Sequence, residues 1–585
     1  MKKYIFALTI ILSIIKVDTL KAQDEEYQKW LKEEQQKINT FMTEEDKKFK
    51  DFLEQEWKAF KMFQGVKFDD KPKVVKPPVF ADDFDKNKDE KPIKEDKKDK
   101  IGKTNEKKES TKPVLKENSN PFKEDKDAKI KESDISKKID ESKQVPEQKD
   151  ITLNEPKTEV SKTTENPKIQ DETKIKEKEP EITSIPEKII EPKKTVEEPK
   201  ITPIVVETKV DVNKNDQNAT FEYYGTEVKI AYSKELKVTV AKNADNKSIS
   251  KYWEEMSKKG YKDLITQFTE YKTAISLNDW GYAILLNSFA KQLYGNDRNS
   301  RYCFIWYMLN KSGYKCRIGF IDRNIVLFVP AKTKIFGIPY FTSSDTKERL
   351  YVIDFDNLSG SLEGSIYTYD GDYPDAKKMI DMNIESPLKV NPIEKTRTVK
   401  FKYKGSEYVI DAKYNTNVVK FYEYYPYTDL SVYFNYKISD DTKQTLLNSL
   451  RPLVEGRTPP DAANILLRFV QIGFEYQTDD QQFGREKPLF IEEIMNYPAC
   501  DCEDRSILFS FLVKELLNLP VIGVDYPGHV ATAVKFDVDV PGDFVTYKNQ
   551  KYLICDPTYI NAYIGMAMPQ FKDGKYENLI EIKHQ

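Results

Sequence analysis

The sequence predicts an α+β protein in which two related modules follow a long amphipathic helix and a disordered linker. Three observations carry this prediction: an 11-residue repeat near the start, a Lys/Glu/Pro-rich tract after it, and two later stretches that share one order of helices and strands. The 585 residues have a net charge of −3, so the charge does not favour nucleic acid or an anionic membrane as a partner.

The first 22 residues are typical of a secretory signal peptide. Lys2 and Lys3 precede an apolar run over residues 4–15, and residues 20–22 (LKA) resemble a small-residue cleavage site. The run is too short to span a membrane comfortably. We therefore expect an exported chain, in the periplasm, in the cell envelope or secreted, without a transmembrane segment.

Residues 24–65 are predicted to form one amphipathic helix with an 11-residue repeat. The aromatic and aliphatic positions in register include Tyr27, Ile38, Phe49 and Phe60. Because eleven residues make almost three helical turns, these positions form one apolar stripe. The stripe either packs on a folded domain of the same chain or mediates coiled-coil-like self-association, or binding of a partner helix, through residues 25–63.

Residues 66–215 are predicted to be a disordered linker. Lys, Glu, Asp, Pro and Thr dominate this tract, and aromatic residues nearly vanish. Such a composition buries too little apolar surface to offset the entropy lost on ordering the chain. We therefore expect a solvated spacer.

Residues 216–390 and 396–585 are predicted to be two copies of one module. FEYYGTEVKI, which starts at residue 221, resembles FKYKGSEYVI, which starts at residue 401. DRNSRYCFIWYMLNKSGYKCRIGF at 297 aligns without gaps to DCEDRSILFSFLVKELLNLPVIGV at 501. The matches keep one order, so each copy is expected to contain a β-rich entry, then helices, then strands.

Three residues of the second copy are candidates for nucleophilic catalysis. Cys502 starts a helix predicted to run to about residue 517, and His529 heads a strand predicted over 528–536. Asp556 ends a hairpin predicted to turn at Lys548-Asn549. A helix N-terminus favours a thiolate, an imidazole can take the thiol proton, and a carboxylate can orient the imidazole.

Other roles for these residues remain open at this stage. A cysteine before an apolar helix is often a small core residue, and Asp-Pro-Thr is common in turns. The acids beside Cys502 raise the pKa of a thiol. The histidine is more informative, because the chain has only two and the other is His584 at the C-terminus. A zinc site would use Cys500, Cys502, His529 and Cys555 or Asp556, but Cys-x-Cys is tighter than the usual ligand spacing, so no metal and no cofactor are predicted.

The motifs C-x-D-x-S-x-L, GHVATAV and CDPTY, in this order, resemble the transglutaminase-like superfamily. The resemblance implies a papain-like fold in which Cys502 is the nucleophile, His529 the general base and Asp556 the residue that orients it. It also implies an oxyanion hole that uses the Cys502 backbone N–H, and acyl transfer or hydrolysis at an amide bond of a protein or peptide substrate through a thioester. The alternative is a non-catalytic binding or scaffold protein of the cell envelope.

The first copy is expected to lack this chemistry. In the alignment of the two copies Arg298 stands in place of Cys502, Ile325 in place of His529, and Asp354 in place of Asp556. The nucleophile and the base are both missing. Residues 216–390 are therefore predicted to be a catalytically inactive copy.

Overall fold

The computed structural model of the chain describes residues 42–65, 73–80, 216–321, 324–356 and 365–583. The predicted signal peptide, the predicted helix up to residue 41, and residues 66–72 and 81–215 of the predicted linker lie outside these ranges. With 37% helix and 27% strand, the structure confirms the α+β class. In the described ranges no helix combines the length and the apolarity needed to cross a membrane.

Twelve α-helices are found in the described residues. They are α1 Glu44–Gln55, α2 Asn246–Ser257, α3 Tyr261–Ala274, α4 Asp279–Tyr294, α5 Arg298–Lys311, α6 Thr416–Glu423, α7 Leu430–Asn435, α8 Asp440–Val454, α9 Pro459–Gly473, α10 Asp479–Phe483, α11 Ile491–Asn496 and α12 Cys502–Leu512. A π-helical turn, Val513–Leu517, continues α12, so the helical segment ends where the sequence predicts, near residue 517.

The described residues also contain seventeen strands. They are β1 Trp57–Lys61, β2 Asp216–Tyr223, β3 Thr226–Ser233, β4 Arg317–Ile321, β5 Asn324–Pro330, β6 Tyr340–Thr342, β7 Arg349–Ile353, β8 Ser365–Tyr369, β9 Glu394–Tyr403, β10 Ser406–Asn415, β11 Glu475–Tyr476, β12 Ala499–Cys500, β13 Val521–Tyr526, β14 His529–Val534, β15 Phe544–Tyr547, β16 Gln550–Cys555 and β17 Asn578–Glu581.

The prediction of one helix up to residue 65 is wrong beyond Gln55. Helix α1 starts where the Thr43 hydroxyl accepts the N–H of Asp46, and it ends before β1. Strand β1 pairs antiparallel with β8, with Trp57 opposite Tyr369. The apolar spacing of a helix continues through β1, but tertiary contacts decide its conformation. The backbone of β1 forms strand hydrogen bonds with β8 instead of continuing the helix, and its aromatic side chains are buried.

The apolar stripe of α1 packs within its own chain. Phe49 and Leu53 are buried, and the ring of Phe49 lies 4.7 Å from that of Trp253 and 5.4 Å from that of Tyr373. These partners belong to the predicted first copy. For the described part of the helix, packing on a folded domain is therefore the correct alternative.

The two predicted copies each contain an antiparallel sheet below a buried helix. The first sheet has the order β1-β8-β4-β5-β7-β6, and the second has the order β15-β16-β14-β13-β17. Followed from β6 to β8, the first sheet runs β6-β7-β5-β4-β8, which matches the second sheet strand for strand. Helix α5 directly precedes β4, and α12 with the π-helical turn that continues it directly precedes β13.

The local predictions around the candidate residues are confirmed. Strand β14 starts at His529 and lies inside the predicted range. Strands β15 and β16 form the predicted hairpin, in which Lys548 and Asn549 have φ angles of 49° and 58°. Two consecutive residues with positive φ make the two-residue turn whose twist suits a hairpin.

One part of the predicted linker is packed against the second module. The N–H of Phe80 donates to the carbonyl of Ile560 at 2.7 Å, and the N–H of Ile560 donates to the carbonyl of Pro78 at 3.0 Å. Residues 73–80 thus have backbone partners that their composition does not predict. For these residues the prediction of a disordered linker is wrong, since their hydrogen bonds come from a segment almost 500 residues away in the chain.

Candidate active site

Cys502 lies at the N-terminus of α12 and is 1% exposed. The preceding strand β12 pairs in parallel with β11. The N–H of Asp501 donates to the Asp504 carboxylate at 3.2 Å, and the same carboxylate accepts the N–H of Leu489 at 2.6 Å. The first bond satisfies a backbone donor at the start of the helix, and the second ties that start to the segment before α11.

The thiol of Cys502 donates to Glu503 Oε2 at 3.0 Å. Burial, and then the carboxylates of Glu503 and Asp501, raise the pKa of Cys502 well above its usual range. These acids do not point into solvent, because Glu503 is 2% exposed and Asp501 is fully buried. The resting thiol is therefore neutral, and its negative neighbours oppose the favourable effect of the helix N-terminus.

His529 and Asp556 form a buried hydrogen-bonded pair. His529 is the first residue of β14, and Asp556 follows the last residue of β16. These strands are neighbours, which brings His529 Nε2 to 2.9 Å from Asp556 Oδ2. The other carboxylate oxygen, Oδ1, accepts the N–H groups of Thr558 at 2.9 Å and Tyr559 at 3.3 Å. The backbone thus holds the carboxylate in the orientation that faces the ring.

The second nitrogen of His529 is available as a base. Its Nδ1 is buried and has no hydrogen-bond partner. The ring stacks on Phe571 with a centroid distance of 5.1 Å and an angle of 9° between the planes. With the Nε2 proton donated to Asp556, Nδ1 carries the lone pair. The pair can therefore accept a proton at Nδ1 and stabilise the resulting positive charge.

Helix α12 crosses β14 close to His529. The hydroxyl of Ser506, one helical turn after Cys502, donates to the carbonyl of Val530 at 2.9 Å. The structure thus joins two of the three predicted residues in a direct bond and packs the helix that carries the third against the strand of the histidine. The Cys502 thiol bonds to Glu503 and not to the unpartnered Nδ1 of His529.

A lysine from residues 73–80 lies beside Cys502 and was missed by the sequence reasoning. Lys73 Nζ is 3.1 Å from Glu503, 3.6 Å from Asp501 and 3.9 Å from Asp479, and it also forms an ion pair with Glu486. The acidic run after Cys500 was visible in the sequence. A single lysine in a lysine-rich tract carries no local signal, because its partners come from distant segments.

Lys73 and the surrounding carboxylic acids shift one another's pKa. Burial alone would lower the pKa of Lys73, but Glu503, Asp501 and Asp479 outweigh it and raise that pKa. Burial alone would raise the pKa of Glu503, but Lys73 lowers it to about 2. Burial and the nearby Glu503 raise the pKa of Asp479 to about 7. The cluster therefore centres on one ion pair, Lys73 with Glu503.

The acidic cluster also accounts for the groupings of metal-ligand type near the site. They are Asp501 with Cys502 and Glu503, Asp479 with Asp501 and Asp504, and Asp479 with Glu486 and Glu503. The Lys73 ammonium lies among these oxygens and supplies the positive charge they need. Within the described ranges, none of these groupings contains His529 or Cys500, so the ligand set considered for zinc is not assembled.

The residues of the first module that align with the three candidates also meet in space. Arg298 Nη1 lies 3.6 Å from Asp354 and 2.5 Å from Asp356, and Nη2 donates to the carbonyl of Ile325 at 3.3 Å. Arg298 starts α5, Ile325 lies in β5, and Asp354 follows β7. An arginine–carboxylate ion pair thus stands where the second module has cysteine, histidine and aspartate.

Comparisons of the chain with models of protein families, with curated proteins and with solved structures find no match. The resemblance to the transglutaminase-like superfamily therefore depends on the motifs quoted above.

Proposed function

We propose that the chain is an exported thiol enzyme of the transglutaminase-like superfamily. It would act at an amide bond of a protein or peptide, by hydrolysis or by transfer of the acyl group to an amine. The observation that carries this proposal is the buried His529–Asp556 bond of 2.9 Å, with an unpartnered Nδ1, on the strand against which the Cys502 helix packs.

The proposed reaction begins with transfer of the Cys502 proton to His529 Nδ1. The thiol must first turn away from Glu503, which accepts its proton in the resting state. The sulfur then attacks the amide carbonyl, and the Cys502 N–H at the helix N-terminus stabilises the developing oxyanion. His529 returns the proton to the departing amine. Water or a second amine cleaves the thioester, with His529 again moving the proton.

The first module would be a degenerate copy of the second. This part of the proposal is supported by the common strand order of the two sheets and by the position of Arg298 at the start of the equivalent helix. An arginine cannot serve as the nucleophile, and Ile325 cannot move a proton. The role left for this module is packing or recognition.

A second candidate function is a non-catalytic binding or scaffold protein of the cell envelope. The environment of Cys502 favours it, because burial and two adjacent carboxylates keep the thiol neutral. In that case the triad residues would be structural. The two candidates differ in whether the thiol reacts through His529.

A thiol-directed acyl probe on the full chain separates the two functions. We expect labelling to be lost in Cys502→Ser and slowed by about 10²-fold or more in His529→Ala. Cys500→Ser is the matched control, because Cys500 is also buried, two residues away. Its labelling should equal that of the wild type. A folded wild-type chain that shows no labelling from acid to alkaline pH would refute the enzyme and favour the scaffold alternative.

A further inference from the structure

We propose that the acidic residues beside Cys502 form a pocket for the lysine ammonium group of a bound peptide, and that residues 73–80 occupy this peptide site in cis. The pocket consists of Asp479, Glu486, Asp501 and Glu503. The inference deepens the proposed function, on which it rests, by naming lysine-containing peptides as the class that the candidate site binds.

The pocket is built for a cation. Asp479 and Glu503 are each 2% exposed, and Asp501 is fully buried. Carboxylates this close cannot all be ionised without a positive charge among them. Both side-chain oxygens of Asp501 lack a hydrogen-bond partner, although Lys73 Nζ lies 3.6 Å away. The pocket thus has acceptor capacity that an ammonium group, with three donors, can use.

The occupant is a non-helical peptide segment that is held at both ends and bends at Val75 and Lys76. Near Lys73, the hydroxyl of Tyr476 donates to the carbonyl of Val74. At the other end, Val79 forms a parallel bridge with Ile560, and the Asn561 amide donates to the carbonyl of Phe80 at 3.2 Å. Such main-chain bonds do not depend on the bound sequence, whereas side-chain pockets select it.

The segment connects the surroundings of two proposed catalytic residues. Its Lys73 end bonds to Glu503, which follows Cys502, and its Phe80 end contacts residues shortly after Asp556. A peptide bound in this way has one end beside Glu503 and the other beside the residues that follow Asp556. The same path is therefore suited to a substrate whose lysine ammonium group serves for recognition.

Residues 73–80 contain a second lysine that serves as a control for Lys73. Lys76 is a second lysine within residues 73–80, and its side chain is exposed. General attraction between lysines and an acidic surface would involve both residues. A specific pocket involves only the lysine that enters it.

The experiment measures binding of fluorescent peptides to the full chain with Lys73→Ala and Phe80→Ala, which weaken the occupant in cis. The probes are KVVKPPVF, AVVKPPVF and KVVAPPVF. We expect the first and third to bind alike and the second about tenfold more weakly. The wild-type chain should bind KVVKPPVF about tenfold more weakly than the double variant, because its pocket is filled.

A second variant, changed in the pocket itself, gives a comparison that does not depend on the two substitutions in residues 73–80. Glu486→Gln, at the partly exposed rim of the pocket, should weaken KVVKPPVF and leave AVVKPPVF unchanged when added to the double variant. Equal binding of KVVKPPVF and AVVKPPVF, or no binding of any peptide to a folded double variant, would overturn the proposal. Equal losses for AVVKPPVF and KVVAPPVF would also do so, by showing only non-specific charge attraction.

The outcome is separable from that of the proposed function. Peptide binding uses the carboxylates of the pocket, whereas labelling by the acyl probe uses the thiol, so the two measurements test different groups. If the chain binds the peptide but never reacts with the acyl probe, the lysine site is supported and the proposed enzyme activity is refuted. If the chain reacts with the probe but does not distinguish the peptides, the proposed enzyme activity is supported and the lysine site is refuted.

Discussion

Replacing Asp556 with asparagine tests how the histidine is used. Oδ1 of Asp556 accepts two backbone N–H groups, at 2.9 Å and 3.3 Å, so the carbonyl oxygen of an asparagine must take that position. The NH₂ group then faces His529 Nε2, which now lies 2.9 Å from a carboxylate oxygen. Two donors cannot share this bond, so the ring proton moves to Nδ1, and the base is lost.

The expected effect follows from this change of tautomer. A triad with the wrong histidine tautomer loses about 10³–10⁴-fold in rate, equivalent to about 4–5.5 kcal/mol of transition-state stabilisation. The free energy of unfolding should fall much less, by about 1–2 kcal/mol, because the side chains are isosteric and one charge-assisted bond is exchanged. A large kinetic effect with a small effect on stability is the signature of a lost base.

The assay compares the rate of Cys502 labelling by the acyl probe with urea unfolding of the same samples. Asp537→Asn is the control, because Asp537 is an exposed aspartate in the same module. Its labelling rate should match the wild type. A folded Asp556→Asn chain that labels at the wild-type rate would refute the reasoning, as would an equal decrease in both variants.

Three further predictions concern stability and pH. Phe49→Ala should lower the free energy of unfolding by about 3–5 kcal/mol, because it empties a buried aromatic site, whereas exposed Lys48→Ala should leave it unchanged; equal urea midpoints would contradict the packing of α1 on its own chain. The labelling rate should still rise with pH above about 9, because the raised pKa of Cys502 keeps the thiolate scarce; a plateau below neutral pH would contradict this. Arg298→Ala should cost about 1–3 kcal/mol in urea unfolding by leaving Asp354 without its cation, and labelling should stay at the wild-type rate; slower labelling of the folded variant would give the first module a role in the reaction.

Local sequence patterns were sufficient to predict the elements that carry the candidate residues of the second module. The Lys548-Asn549 turn, the start of α12 and the strand that carries His529 were all predictable, because turn residues, a run of buried side chains and strand patterning act over a few neighbours. The pairing of His529 with Asp556 follows once their strands are adjacent in one sheet. These features depend little on the rest of the chain.

The features that sequence reasoning missed depend on partners far along the chain. Helix α1 ends early because β1 pairs with β8, some 300 residues later, and spacing within residues 24–65 cannot reveal that partner. Lys73 is identified only by the acids around it. The bond from Cys502 to Glu503 depends on the direction of one side chain at a helix start, which a motif such as C-x-D does not specify.

The two modules together indicate which contacts the fold itself needs. In the first module Arg298 ties the start of α5 to β5 and to the end of β7 through Ile325 and Asp354. In the second module other residues hold the equivalent helix: Ser506 bonds to the carbonyl of Val530, and Arg505 donates to the carbonyls of Gln471 and Phe474 at 3.1 Å and 2.9 Å.

Cys502 is therefore not needed to anchor its helix, and the unpartnered Nδ1 of His529 contributes no hydrogen bond to the fold. A buried polar atom without a partner costs about 1–3 kcal/mol. The proposed reaction gives the thiol and the unpartnered imidazole nitrogen a use that packing does not, and that is why the acyl probe should be directed at Cys502 first.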